Sequence, residues 1–161
     1  MRHALVLLLL AATPLRAQDH AKHHAADSAF DALQRRGKTA MGVDQYASTH
    51  RFDVLPDGGR IALESDRDDP AAVAAIRAHF RDIAGAFARG DFTTPGVVHD
   101  GPVPGTKVMA ARRAAITYTP RDLPRGAELR LRTADPEVRR AIAEFMAFQK
   151  REHHAGGAVK R

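Results

Sequence analysis

The sequence predicts an α+β protein in which a β-hairpin followed by a helix occurs twice. Apolar and polar residues alternate on both sides of two turns, at 56–59 and 124–126, and apolar residues then recur every third or fourth position after Pro70 and after Pro136. Each unit has one apolar sheet face and one apolar helix stripe, so neither buries its apolar surface alone. We therefore expect the order ββα-ββα, with a four-stranded antiparallel sheet and two helices on one face.

The first residues have the three zones of a secretory signal peptide. Arg2 and His3 precede an apolar run, Ala4–Ala12, and the small residue Ala17 closes the segment. The run is about half as long as the ~20 residues of a membrane-spanning helix. We expect this signal to be removed, the chain to be periplasmic or extracellular, and the mature protein not to span a membrane.

The segment at 18–40 is rich in alanine, histidine and charge, which favours a mobile arm or a short, lightly docked helix. Asp27 or Ser28 is the expected N-cap, with Phe30 and Leu33 as apolar contacts. The histidines in this segment are expected to belong to a flexible polar linker. The expected organisation is a signal peptide at 1–17, a His/Ala-rich arm or short helix at 18–40, a single duplicated domain at 41–154 (unit one at about 48–90, a crossover at 91–115, unit two at 116–154) and a disordered tail at 155–161.

The first hairpin is the strongest local signal. Its alternating positions are His50, Phe52 and Val54 before the turn, and Ile61 and Leu63 after it. Gly58 and Gly59 are expected to supply the positive φ angles of the reversal. His50 shares a strand face with Phe52 and should point towards the helices.

The first long helix is predicted to begin at Pro70, with Asp69 as its N-cap, and to end at Gly90. Its apolar stripe consists of Val73, Ile76, Phe80, Ile83 and Phe87. His79 lies at the border of that stripe. These signals together predict a helix with one buried face.

The second unit repeats this pattern at a period of 66 residues, with Pro136 on Pro70. Its apolar positions are Ile116, Tyr118, Leu129 and Leu131 in the hairpin and Val138, Ala141, Ile142, Phe145 and Phe148 in the helix. Arg130 and Arg132 have the opposite strand parity and should line the second sheet face. That face is expected to be open to solvent, to a partner chain or to the N-terminal arm.

The crossover at 91–115 is rich in glycine and proline. A connection of this length in a small domain is usually functional or disordered. Its apolar residues Phe92, Val97, Val98 and Met109 favour docking, and we expect any functional site to lie here.

The chain resembles a family of uncharacterised bacterial exported proteins over about Met41 to His154. The resemblance is carried by Gly90-Asp91-Phe92, Pro95, His99, Pro104-Gly105, Met109, Ala141-Ile142, Glu144-Phe145, Phe148-Gln149 and Glu152-His153. Typical members have a histidine where this chain has Ala143. The family has no established activity, so the resemblance implies one domain and export and transfers no site residue.

Composition excludes several classes of function. The sequence has no cysteine, which excludes a disulfide framework and a lipid-modified amino terminus. The net charge of +6 is modest and is typical of a solvated surface, so no nucleic-acid partner is expected. The sequence does not identify a partner, and an envelope protein and a second copy of the chain are the two candidates.

Histidine is the main candidate for chemistry, because the chain has nine of them and no thiol. His50, His79 and His99, with Met109 and Met41, offer imidazole and thioether ligands for copper, or imidazoles for zinc. The alternative is that these histidines are structural, since none of them forms an H-x-H or H-x3-H pair.

Three functions stay open at this point. The first is an exported binding or interaction module that uses the free sheet face or the crossover. The second is a periplasmic copper- or zinc-binding protein that uses His50, His79, His99 and Met109. The third is an enzyme with His99, next to Asp100, as general base, although no nucleophile or phosphate-binding motif accompanies it.

Overall fold

The structure, a computed structural model, describes residues 15–155, with side chains from residue 27 onward except that of Met41. The elements are α1 (Leu15–Met41), β1 (Ser48–Leu55), β2 (Gly58–Ser65), α2 (Pro70–Ala88), α3 (Thr93–His99), α4 (Thr106–Ala111), β3 (Thr117–Leu123), β4 (Gly126–Arg132) and α5 (Pro136–Glu152). Short 3-10 turns precede β1 and β3, at Gln45–Ala47 and Arg113–Ala115. Most of the predicted signal peptide, residues 1–14, and most of the predicted tail, residues 156–161, lie outside the described residues.

The four strands form one antiparallel sheet in the order β1-β2-β4-β3. The central pair is β2 with β4, in which Ile61 lies opposite Leu129. Each outer strand pairs with the strand of its own hairpin. The predicted α+β class with a four-stranded antiparallel sheet is therefore confirmed.

The first turn is tighter than predicted. Leu55 pairs with Gly58, so only Pro56 and Asp57 connect the strands. Gly58 has a φ of 144°, where side chains are rarely accommodated. The φ of Gly59 is not positive, and this expectation was wrong: a Cβ at that position would lie 2.7 Å from Cε of Met146, so Gly59 provides space for α5.

Both long helices begin as the sequence predicts. The Asp69 side chain accepts hydrogen bonds from the N–H groups of the second and third residues of α2, and Asp135 does the same in α5. Gly90, with a φ of 80°, follows the end of α2. The two helices therefore have matching caps, as expected for similar units.

The core lies between the sheet and the two long helices. α2 packs mainly on β3 and β4, whereas α5 packs on β1 and β2, so each helix covers the strands of the other unit. Side chains with no exposed surface are those of Leu63, Ile76, Met109, Leu129, Leu131, Val138, Ile142 and Met146. Burying each of them stabilises the fold by about 1.5–3 kcal/mol.

The opposite sheet face is covered by charged side chains. Its ion pairs join Arg51 with Glu64 at 2.7 Å, Arg60 with Asp53 at 2.6 Å and with Glu128 at 3.8 Å, and Arg130 with Asp57. Arg130 also donates to the carbonyl oxygen of Gly59 at 2.7 Å. The described part of the arm packs on α3 and α2 rather than on this face.

Helix α1 is longer than the expected short helix, because Asp27 and Ser28 lie within it instead of capping it. Leu33 is buried against the domain. Arg36 Nε donates to the carbonyl oxygen of Val98 at 2.8 Å. None of the helices in the described range combines the length and apolar character that crossing a membrane requires.

The crossover is ordered as α3 and α4. Phe92, Val98 and Met109 pack against the core as expected. Val97 is 55% exposed, and its predicted docking was wrong. The reason is that the short helix α3 buries one face only, which carries Pro95 and Val98 three residues apart.

Candidate functional site

Four imidazoles line one half-enclosed cavity of about 60 Å³ beneath α3. They belong to His50 of β1, His79 of α2, His99 at the end of α3, and His153 directly after α5, and we call them the histidine cluster. The remaining lining is mainly aliphatic and aromatic, with the amide of Gln149 as a further polar group. Among the described residues that line this cavity there is no Asp, Glu, Lys or Arg.

Each histidine reaches the cavity through the periodicity of its own element. His50 is two positions from Phe52 on the core side of β1, and their ring centroids are 5.5 Å apart. His79 lies at the edge of the buried stripe of α2, next to Phe80. The left-handed Asp100, with a φ of 55°, ends α3 directly after His99.

His153 lies at the centre of the cluster. Its ring centroid is 4.9 Å from that of His50 and 5.1 Å from that of His99. Two imidazoles that share one zinc ion have centroids roughly 5 Å apart, since each Zn–N bond is about 2.0–2.1 Å. His153 therefore has the spacing of a neighbouring metal ligand to each of the other two rings.

The ligating atoms themselves do not converge. Among the residues whose side chains the structure describes, no three His, Asp or Glu side chains are arranged around one point as a metal ion requires. The rings of the cluster are close together, but their nitrogens do not form such a group. Holding an ion there requires some of these rings to turn.

Two buried glutamines bind two of the rings. Gln149 Oε1 lies 2.8 Å from Nε2 of His99, and Gln45 Oε1 lies 3.2 Å from Nδ1 of His153. An amide oxygen only accepts hydrogen bonds, so both rings donate to it. His99 then has its lone pair on Nδ1, and His153 has its lone pair on Nε2.

Burial keeps the whole cluster uncharged at neutral pH. Desolvation lowers the pKa of His50 to about 3, with a further contribution from His79, and it lowers the pKa of His79 to about 4 although Asp82 acts in the opposite direction. Desolvation also lowers the pKa of His99, and it lowers the pKa of His153 well below its ordinary value. Neutral imidazole is the form that binds metal ions.

The structure brings together three of the four residues predicted as ligands. His50, His79 and His99 share the cavity, but Met109 has no exposed surface and packs in the core without lining it. The predicted thioether ligand is therefore not part of the cluster, because the side chain of Met109, on α4, is buried in the core. The side chain of Met41 lies outside the described residues.

Sequence reasoning missed His153 as a site residue. Phe145, Gln149 and His153 follow one another at intervals of four along α5, so a polar residue and a histidine continue its apolar stripe. These two polar side chains on an apolar stripe were the sequence signal that could have identified His153. His99 is bonded to Gln149 and not to the exposed Asp100, so the carboxylate pairing that a general base would use is not formed.

A larger polar groove of about 580 Å³ adjoins the cavity. The two share His79 and Thr94, and the groove also carries Arg81, Asp82 and Arg89. His79 thus lies between the buried cluster and open solvent. No family model, curated protein or solved structure matches this chain at a significant level.

Proposed function

We propose that this protein binds a transition-metal ion, zinc or copper, at the histidine cluster. The observation that carries the proposal is the convergence of four uncharged imidazoles from four separate elements on one cavity with apolar walls. The ring spacing assigns His50, His99 and His153 as ligands and His79 as the residue nearest to a fourth position.

Unused hydrogen-bonding capacity supports a ligand rather than a purely structural role. Within the described residues, no hydrogen bond is made by either ring nitrogen of His50 or His79. Neither residue has a ring nitrogen among the fully buried unpaired atoms, so these nitrogens stay accessible from the cavity. An ion in the cavity can therefore reach a lone pair on each ring.

The donor set favours zinc or cupric copper over cuprous copper. Imidazole suits zinc and copper, whereas the softer cuprous ion prefers thiolate or thioether ligands. Met109 is not adjacent to the cluster. Binding requires rotations about histidine side-chain bonds that bring the free ring nitrogens to one point.

Titration with zinc chloride or copper sulfate tests the proposal. The histidines at 20, 23 and 24 are first replaced by asparagine in every protein compared, so that they do not bind the added metal. We expect one ion per chain and a raised Tm, because an ion that binds only the folded state stabilises it. Both effects should disappear in a His50→Ala, His99→Ala, His153→Ala variant.

The control is His154→Phe, which removes an exposed imidazole next to the cluster in sequence but outside the cavity and keeps an aromatic ring against Phe30. Circular dichroism establishes that the triple variant is folded, and the single variant His153→Asn serves if it is not. Equal metal-induced Tm shifts in the control and in the cluster variants would show that no ordered metal site exists there.

We also infer that the two hairpin-helix units arose by internal duplication. The support is the strand register: Leu55 pairs with Gly58 in one hairpin, as Leu123 pairs with Gly126 in the other. Equivalent strand residues are thus 68 positions apart, whereas Pro70 and Pro136 are 66 apart. From the start of the second strand to the start of the helix, the second unit is two residues shorter, one in the strand and one in the connection.

We further propose that the protein acts outside the cytoplasm, as an exported binding protein of the kind its family resemblance implies. The amino-terminal sequence supports this. Sequencing the amino terminus of protein recovered from the periplasm tests it, and an intact Met1 would contradict it. An interaction through the sheet face stays a prediction.

A further inference from the structure

We propose that Gln149 and Gln45 are positioning residues that select which nitrogen of His99 and of His153 binds the metal. The proposal rests on the metal-binding function proposed above and deepens it. It assigns the ligating atoms as Nδ1 of His99 and Nε2 of His153. It also connects the site to α1, because Gln45 lies in the turn that follows this helix.

The place of Gln149 is not explained by packing. It is only 4% exposed and lies on the apolar stripe of α5, between Phe145 and His153. Burying an amide costs free energy unless its polar atoms are paired. An apolar residue of similar length would fill this space without that cost, so the amide is explained by its bond to Nε2 of His99.

Gln45 is held in one orientation by its surroundings. It is 6% exposed, and its Nε2 is buried without a hydrogen-bond partner. That atom lies against Gly37 of α1 so closely that a Cβ there would be 1.4 Å away. With this packing, Oε1 of Gln45 faces His153 and lies 3.2 Å from its Nδ1.

Each glutamine amide leaves the histidine that it binds with a single tautomer. A neutral imidazole has one N–H group and one lone pair. Once Nε2 of His99 donates to Gln149, only Nδ1 can bind an ion, and once Nδ1 of His153 donates to Gln45, only Nε2 can. Metal-binding histidines commonly donate their other N–H to such a partner, which orients the ring.

Nitrogen NMR of protein labelled with ¹⁵N-histidine tests the assignment. In metal-free protein near neutral pH we expect His99 to be protonated at Nε2 and His153 at Nδ1. Added Zn²⁺ should then shift the resonances of Nδ1 of His99 and Nε2 of His153. The opposite tautomers, or metal shifts on the other nitrogens, would overturn the proposal.

Variants give a second, independent measurement. Gln149→Met and Gln45→Met should each lose the fixed tautomer of the bound histidine and weaken zinc binding by about 10- to 100-fold. Gln149→Glu keeps an acceptor and should restore the Nε2-protonated form of His99. The matched control is Gln34→Met, because Gln34 is a third buried glutamine on α1 that makes no bond to the cluster.

The two proposals fail in different ways. If zinc does not bind the unaltered protein, the metal function is wrong, and the tautomers can still be read without metal. If zinc binds the unaltered protein, Gln149→Met and Gln45→Met with equal affinity, the glutamines do not position the ligands although the site is real. Weaker binding in Gln34→Met by the same factor would show a general loss of stability and would also contradict the assigned role.

Discussion

The charge state of the histidine cluster depends on burial, since no carboxylate lines the cavity. Desolvation is the largest cause of the lowered pKa of His50, His79, His99 and His153. These rings stay neutral where an exposed histidine would be partly charged. The same property that prepares them for metal also makes the metal-free protein sensitive to acid.

We predict that the metal-free protein loses stability as the pH falls from about 6.5 towards 4. The ordinary histidine pKa is 6.5, whereas that of folded His50 is about 3 and that of His79 is about 4. The unfolded chain therefore binds more protons in this window, so the stabilisation is complete above it and is lost within it. Thermal denaturation in the presence of a chelator, at a series of pH values, measures the effect.

A His50→Gln, His79→Gln double variant should lose less stability over the same pH range. Carboxylates with a lowered pKa, such as those of Asp57 and Asp135, contribute mainly below their ordinary value of 3.8 and so fall outside this window. A Tm that does not change between neutral pH and pH 4 would mean that these rings are already accessible to protons.

Helix α1 touches the chain next to two members of the cluster. Arg36 binds the carbonyl oxygen of Val98, the residue before His99, and Phe30 stacks on His154, the residue after His153, with ring centroids 4.2 Å apart. Helix α1 therefore contacts the chain directly beside His99 and directly beside His153.

We predict that Arg36→Ala weakens both the docking of α1 and metal binding. A hydrogen bond from a charged group contributes about 1.5–3 kcal/mol, so its loss should increase amide hydrogen exchange in the second half of α1 and lower zinc affinity several-fold. The exposed neighbour Arg35 provides the control, and Arg35→Ala should change neither quantity. Unchanged exchange in Arg36→Ala would show that α1 is held by its apolar contacts alone.

Local periodicity predicted most of the elements but not how they meet. The hairpins, the caps at Asp69 and Asp135 and the apolar stripe of α2 are set by neighbours a few positions away, and a sequence displays these directly. The extent of α1 and the exposure of Val97 depend on which surface each helix contacts. His153 joins the site through packing between α5 and β1, which no local pattern displays.

The proposed duplication accounts for where the cavity lies. When the two hairpins are aligned, with an offset of 68 residues, His50 corresponds to Tyr118. When the two helices are aligned, with an offset of 66 residues, His79 corresponds to Phe145 and His153 to Phe87. Phe87 does contact both counterparts, with centroid distances of 6.0 Å to Tyr118 and 6.2 Å to Phe145. Where one half of the molecule has the histidine cluster, the other has a packed aromatic cluster.

The aligned residues show which side chains occupy the equivalent positions in the unit that has no histidine cluster. A protein gives up stability at positions that serve binding, and residues that restore packing there usually stabilise it. Replacing the histidines with their counterparts, as His50→Tyr, His79→Phe and His153→Phe, should fill the cavity of about 60 Å³. The larger rings remove unpaired ring nitrogens and add buried apolar surface.

We predict that this triple variant has a higher Tm than the metal-free protein, no pH dependence of stability from the cluster, and no zinc binding. Thermal denaturation with and without zinc measures all three, and the control is the reverse exchange Tyr118→His, which should destabilise the protein without adding a ligand, because Tyr118 does not line the cavity. Histidines that are merely structural would be held by fitted contacts, and replacing them would lower the Tm. A gain in stability together with loss of zinc binding therefore separates a site maintained for its ligand from a set of core residues.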